Sequence, residues 1–301
     1  MSADILKRIQ KLKKERNAVI LAHNYQVPEV QDIADHLGDS LGLSIQASKT
    51  KADVIVFCGV HFMAETAAII CPDKKVIMPD VNSGCPMADM ITPEDVKKLK
   101  KDHPGVPVVA YVNTSAAVKA ETDYACTSAN AVKLVNSMPN EEIIFIPDKF
   151  LGDYVRKQTG KKLHLFNGYC TVHVKILPEY IKAAKKKHPN AEVMVHPECP
   201  PGTVELADKV LSTSGMIKNA KGSKAQEFIV GTETGIIYRL KKENPGKKFY
   251  PATELAVCPN MKKNSLEKVL WSLEEMKIQV LVPEDIRIRA RKSIDRMLEV
   301  V

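Results

Sequence analysis

Three stretches decide the fold: AVILAHNY (residues 18–25), PVVAYVNT (107–114) and AEVMVHPE (191–198). Each is a short run of apolar, β-type residues that ends in a polar cluster. With His23, Tyr111 and His196 taken as equivalent, one identical step along the chain leads to Ser40, Ser128 and Thr213, each just ahead of a predicted helix. A second apolar run carries Phe57 and Phe145 at a second identical step from their origins, with Phe228 two positions short of it. The pairs Lys74–Lys75, Lys161–Lys162 and Lys247–Lys248 introduce a third run, which is followed by Cys85, Cys170 and Cys258. Cys85 and Cys258 keep the same distance from their origins, and Cys170 falls three positions short. The lead-in also recurs, as KKDHPGVPV and KKKHPNAEV and more crudely as KKERNAVI. Landmarks that keep register through three copies define a triplicated chain with a period of about 87 residues.

Within each copy, short β-type runs alternate with helical patterns such as PEVQDIADHL and PEYIKAAKKK. That alternation predicts βαβ units with parallel sheets covered on both faces. The expected fold is α/β: three similar three-layer αβα domains around a pseudo-threefold axis. The expected division is residues 1–90 completed by a C-terminal segment 265–301, then 91–174, then 175–264. In such sheets functional groups gather beyond the carboxyl ends of the strands, where the polar clusters fall. Three strand-end loops would then face one central cavity.

The chain has 301 residues, which length alone would divide into about two domains; the repeat raises this to three. Hydrophobic residues at 45% and charged residues at 27% exclude wholesale disorder. The net charge of +8 favours anionic partners, and an aromatic content of only 5% argues against single-strand nucleic-acid binding, which wants stacking platforms. The N-terminal MSADILKRIQKLKKERN reads as a basic amphipathic helix without a signal-peptide core, and no stretch reads as a membrane span. A cytoplasmic protein that binds neither membrane nor nucleic acid is the expectation. The lysine-rich stretches at 97–101 and 185–187 read as solvated helix faces.

Seven cysteines without a secretory signal speak against a disulfide framework, and the nearest pair, Cys58 and Cys71, is too far apart for a CxxC motif. The repeat singles out three of them. Cys85, Cys170 and Cys258 occupy one equivalent position per copy and can meet at the axis. Three converging thiolates suit a zinc ion or an iron–sulfur cluster. Ser40, Ser128 and Thr213, with Ser212 beside the last, can combine hydroxyls with helix N-terminal N–H groups to hold carboxylate or phosphate; a simple N-cap is the plainer role for each. His23, Tyr25, Tyr111, Asn113, His173, His196 and Glu198 supply acid, base and hydrogen-bonding groups.

These residues carry a resemblance. AHNYQVPEVQDIADHLGDS, YVNTSAAVKAETDYACTSAN, GYCTVH, VHPEC, the STS triplet, VGTETGIIYRL and CPNMKKN together make the chain similar, over essentially its whole length, to the quinolinate synthase family of NAD biosynthesis. The resemblance implies three similar α/β domains and condensation of iminoaspartate with dihydroxyacetone phosphate to quinolinate, phosphate and two waters. It also implies a [4Fe–4S] cluster held by Cys85, Cys170 and Cys258, with the fourth iron open as a Lewis acid. By the same resemblance Tyr25, Tyr111 and Glu198 are the expected proton-transfer residues. His23, His173 and His196 would hold substrate carboxylate or phosphate, with Ser40, Ser128, Ser212 and Thr213, while Asn113 orients the intermediate. The imine would come from an L-aspartate oxidase or an aspartate dehydrogenase. Longer relatives carry a CxxC motif near the C-terminus, whereas here Cys258 is followed by Pro259, Asn260 and Met261. Glu233 would pair with a lysine, line the cavity or serve structure alone, and Met261 and Lys262 would cover the cluster or help bind anions. An iron–sulfur hydro-lyase for another small acid, and a basic nucleic-acid-binding protein, are the competing readings.

Overall fold

The structure, a computed structural model, describes residues 2–300. The element order repeats three times as helix–strand pairs. The first copy runs α1 (Ser2–Glu15), β1 (Ala18–His23), α2 (Pro28–Ile33), β2 (His36–Gly38), α3 (Ser40–Lys49), β3 (Val54–Cys58), α4 (His61–Ile70) and β4 (Lys75–Ile77). The second runs α5 (Pro93–Asp102), β5 (Val108–Tyr111), α6 (Ala116–Lys119), β6 (Tyr124–Cys126), α7 (Ala131–Ser137), β7 (Glu142–Ile146), α8 (Lys149–Thr159) and β8 (Lys162–Leu165). The third runs α9 (Pro178–Lys187), β9 (Glu192–Val195), α10 (Pro201–Val204), β10 (Lys209–Val210), α11 (Thr213–Gly222), β11 (Glu227–Gly231), α12 (Ile236–Glu243) and β12 (Lys248–Pro251), before α13 (Leu266–Glu275) and α14 (Glu284–Leu298). Among the described residues no helix is long and apolar enough to cross a membrane.

Each copy forms one four-stranded parallel sheet, ordered β2-β1-β3-β4, β6-β5-β7-β8 and β10-β9-β11-β12. The chain is therefore α/β with three similar helix-flanked sheets, as the repeat predicts. The order reverses direction between the first and third strand of each sheet, which is the topological switch point where such sheets bind ligands. Side chains alternate faces along a strand. Leu21, Phe57, Val109, Phe145, Met194 and Val230 all enter one shared central core. Ile20 and Val56, Val108 and Ile144, and Val193 and Ile229 instead enter three separate outer cores under the helices. His23, Tyr111 and His196 stand two residues beyond Leu21, Val109 and Met194, so period-two alternation directs all three toward the centre.

Strand register corrects one landmark. Leu21 pairs with Phe57 and Val109 with Phe145, but Met194 pairs with Val230, so Phe228 lies two positions early on the same face. β11 therefore keeps the register of β3 and β7, and the shorter spacing in the third copy comes from Phe228 standing two residues before the equivalent Val230. Asp35, Asp123 and Asp208 form a further set of in-register landmarks. Their carboxylates accept the backbone N–H groups of Ile20, Val108 and Val193, each at 2.8 Å. Their own N–H groups donate back to the carbonyls of the same residues at 2.9, 3.0 and 3.0 Å. The first lysine of each Lys-Lys pair also plays one repeated part, as Lys74, Lys161 and Lys247 cap loop carbonyls, among them Ala52, Asn140 and Ala220.

Repetition continues past each cysteine. Short 3-10 turns at Ala88–Met90, His173–Lys175 and Met261–Lys263 begin three residues after Cys85, Cys170 and Cys258, and α5, α9 and α13 begin five residues later. Helix α13 packs its buried Val269, Leu270 and Leu273 with Ile9, Ile20 and Val56 in the outer core of the first sheet. Helix α14 lies across α4, α6 and β6, touching elements of both the first and second copies.

Candidate active site

One cavity at the meeting of the three sheets is lined by His23, Tyr25, Ser40, Cys85, Tyr111, Asn113, Ser128, Cys170, His173, His196, Glu198, Thr213 and Cys258. These are all the sequence-derived candidates except Ser212. The Ser212 hydroxyl is engaged as the N-cap of α11, accepting the Gly215 N–H at 3.2 Å, which leaves Thr213 as the first helical residue at the cavity wall. Ser40 is likewise the first residue of α3, with Asp39 as its N-cap. Ser128 differs: it sits in a turn three residues before α7, where the Thr127 N–H donates to Asn130 at 2.8 Å. Its hydroxyl meets His196 Nε2 at 3.1 Å.

A hydrogen-bonded chain crosses the cavity wall and joins the three copies. The Tyr25 hydroxyl meets Thr232 Oγ1 at 2.5 Å, and Thr232 Oγ1 meets His173 Nε2 at 2.8 Å. His173 Nδ1 lies 2.9 Å from Glu198 Oε2, and the other Glu198 oxygen accepts the Tyr111 hydroxyl proton. The His173 ring stacks on His196 with centroids 4.6 Å apart, and His23 meets Tyr25 edge-on at 4.5 Å. Repeated backbone geometry sets both His23 and His196. Tyr25 N–H donates to His23 Nδ1 at 3.2 Å, and Glu198 N–H faces His196 Nδ1 at 3.4 Å.

Burial dominates the electrostatics. It lowers His23 and His196 to about 3, with Glu198 opposing, so both rings are neutral at pH 7. Burial first, and then the Glu198 charge, raises Tyr25 and Tyr111 well above the ordinary phenol range. Glu198 moves the other way. Burial works against its charge, but the adjacent histidines and the hydrogen bonds from His173 and Tyr111 outweigh it and hold the carboxyl below the usual range. The site therefore sets the buried Glu198 carboxylate against two protonated phenols, separating base from acids. Asn113 Oδ1 is buried without a partner among the described residues, an acceptor free for a ligand donor.

The cysteines divide by environment. Cys58, Cys71, Cys126 and Cys199 are buried, whereas Cys85, Cys170 and Cys258 are partly exposed and line the cavity. Each of these three sulfurs faces two backbone N–H groups two and three residues on: Met87 and Ala88, Val172 and His173, Asn260 and Met261. Burial pushes the Cys85 thiol up to about 12, so thiolate there requires a cation at the site. Three thiols in one register, each in a pocket of N–H donors that favours thiolate, fit an iron–sulfur cluster with three protein ligands. A second grouping overlaps them: ligand atoms of Cys170, His173 and Glu198 lie within 4.8 Å of one another, a set that also suits a single metal ion.

Three groups escape the sequence reading. Thr232, 1% exposed, bridges Tyr25 and His173. Asp148, fully buried, accepts the Cys170 N–H at 3.2 Å. Asn24 donates to Thr213 Oγ1 at 2.9 Å, tying the first copy to the third. The STS and GTETG segments flag the neighbourhoods of Thr213 and Thr232, but only the folded register brings Asp148 to the Cys170 loop.

Comparison with known proteins matches this architecture to one family. The family model described as quinolinate synthetase A protein matches residues 7–299. The chain is 56% identical over 301 residues to quinolinate synthase of Geobacter sp. (strain M21), covering 100% of this chain and 99% of that one. It is 56% identical over 298 residues to quinolinate synthase 1 of Methanosarcina acetivorans, covering 99% and 98% of the two chains. With the quinolinate synthase of Thermodesulfovibrio yellowstonii the identity is 54% over 297 residues, 98% of each chain. Matched end to end at more than half of its positions, this chain belongs to the quinolinate synthase family.

Proposed function

We propose that this chain is an enzyme that condenses iminoaspartate with dihydroxyacetone phosphate to quinolinate, phosphate and two waters, working in the cytoplasm. The observation that carries the reading is one cavity holding both three in-register cysteines and the hydrogen-bonded chain from Tyr25 to Tyr111. The names of the relatives support the product. Cys85, Cys170 and Cys258 are the residues that would hold a [4Fe–4S] cluster. Such a cluster, with three protein ligands, supplies a Lewis acid at its open iron.

The chain's own residues have separable roles. Both substrates are anions, and the first turns of α3 and α11 offer free N–H groups beside the Ser40 and Thr213 hydroxyls to carboxylate or phosphate. His23 and His196, neutral through burial, add hydrogen bonds without adding charge, with the Ser128 hydroxyl beside His196. Glu198, ionised between His173 and Tyr111, is the proton acceptor for enolisation. Tyr25 and Tyr111 keep their protons at neutral pH and are the donors in the dehydration steps. Asn113 turns its open carbonyl oxygen to a donor on the condensed intermediate.

The test is an anaerobic assay with freshly generated iminoaspartate, from L-aspartate oxidase or aspartate dehydrogenase, and dihydroxyacetone phosphate. Quinolinate and phosphate released in equal amounts support the proposal; phosphate without quinolinate, or neither, contradicts it. The compact Cys170, His173 and Glu198 group favours a second reading, a mononuclear metal centre. Metal analysis separates them: roughly four irons and four sulfides per chain for the cubane, against one metal ion without sulfide.

A further inference from the structure

The Glu233 carboxylate is fully buried and belongs to neither the relay nor the set of thiol ligands. Its Oε1 accepts the Cys258 N–H at 3.0 Å and its Oε2 accepts the Gly235 N–H at 2.8 Å. Lys262 Nζ lies 2.9 Å from Oε1 and also donates to the backbone carbonyl of Tyr25. One ion pair, buried at Glu233 and partly exposed at Lys262, thus joins the Cys258 loop of the third copy to the strand-end loop of the first.

Two further observations show that the junction is built. A Cβ placed on Gly235 would lie 2.5 Å from Lys262 Nζ, 2.8 Å from Glu233 Oε2 and 2.8 Å from the Tyr25 carbonyl oxygen. Only glycine leaves room for all three partners. Gln31 Nε2 fastens the same point from the first copy, donating to the Gly235 and Gln26 carbonyls at 2.9 and 2.8 Å.

Strand register makes the comparison across copies. Phe57, Phe145 and Val230 are equivalent, so Val60, Asp148 and Glu233, each three residues on, occupy one position. Asp148 pins Cys170 in the same manner, but its other oxygen takes the Phe150 and Leu151 N–H groups, both at 2.8 Å, within its own copy. Val60 has no carboxylate to offer Cys85. The same position is therefore absent, local or bridging in the three copies.

We infer that Glu233 and Lys262 form a positioning pair that couples the Cys258 loop to Tyr25, so that the metal end and the proton-donor end of the cavity hold each other in place. The inference rests on the reading of Cys258 as a metal ligand, but its geometry can be tested without metal. Glu233→Gln keeps the shape and removes the ion pair.

Hydrogen exchange followed by mass spectrometry on the metal-free chain reads the coupling directly. Glu233→Gln and Lys262→Met are expected to speed amide exchange about tenfold in both segments 23–27 and 255–260, since charge-assisted hydrogen bonds are lost. Lys262→Arg is expected to restore much of the protection. Asp148→Asn should speed exchange around residues 168–172 only. In the reconstituted enzyme, Glu233→Gln should lose iron to a chelator about tenfold faster, with the thermal midpoint of Lys262→Met as the control for folding. Unchanged exchange at 23–27 in both Glu233→Gln and Lys262→Met would overturn the inference. A wild-type chain that takes up no iron would instead overturn the reading of the cysteines, because the exchange comparison would still decide the coupling.

Discussion

Tyr111 donates its hydroxyl proton to the carboxylate of Glu198, a residue 87 positions later in the chain. Both stand at or just beyond the first strands of their sheets, β5 and β9, and both face the central cavity. This pairing turns a repeat in sequence into a contact between two copies inside the cavity. It also separates what each residue does, because only Glu198 carries charge at neutral pH.

Removing either side of that contact should slow turnover without emptying the site. Glu198→Gln keeps a partner for Tyr111 but loses the base, and should lower kcat by about 10²–10⁴-fold. Tyr111→Phe should fall in the same range, and the double variant should lose much less than the product of the two. Single-turnover rates, with iron content as the control, check this.

The seven cysteines should divide three to four. Ser in place of Cys85, Cys170 or Cys258 should leave most of the iron and sulfide unbound after anaerobic reconstitution. Ala in place of Cys58 or Cys126, both buried without contact to the cavity, should retain iron and lose only packing energy. Colorimetric iron and sulfide analysis distinguishes the two groups.

Asp35, Asp123 and Asp208 make the same tie in three sheets, so each should matter alike to stability. Asp123→Ala leaves the Val108 N–H without its carboxylate and should cost about 1–3 kcal/mol. Urea unfolding of the metal-free chain measures it; an unchanged midpoint would show the tie to be idle.

Stability should also fall with acid through His23 and His196. Their folded values near 3 lie below the unfolded 6.5, so the unfolded chain takes up protons that the native chain refuses. The neutral-ring contribution is complete above pH 6.5 and is lost as pH falls from there toward 3, by up to about 1.4 kcal/mol per pH unit for each ring. His23→Gln should flatten that slope in pH-dependent urea titrations of the metal-free chain.

Much of this was legible before folding. His23, Tyr111 and His196 recur at the head of one repeated spacing, and strand alternation alone directs them to a common face. Cys85 and Cys258 follow from the same count, and Cys170 falls three residues short of it. Ser212 misleads because adjacent hydroxyls in STS are chemically alike, and only helix phase decides that Ser212 caps α11 while Thr213 lines the cavity. Asp148 and Glu233 are harder. Their spacings to Cys170 and Cys258 differ by three residues, and taking Phe228 as the landmark hides that both follow Tyr111 and His196 at one constant spacing, which strand pairing makes plain. The aspartate ties were readable from the period, since Asp35, Asp123 and Asp208 follow Ile20, Val108 and Val193 at one constant spacing.

On the proposal made above, three thiols, one from each copy, would hold an iron–sulfur cluster with one iron open to ligands in the cavity lined by Tyr25 and Tyr111. Mössbauer spectroscopy of the chain reconstituted anaerobically with ⁵⁷Fe, recorded before and after adding quinolinate, decides whether they do. Roughly a quarter of the iron signal should separate from the rest when product binds, as one open site in four requires. A spectrum that product leaves unchanged, or a chain that binds metal without cluster iron, would contradict the proposal.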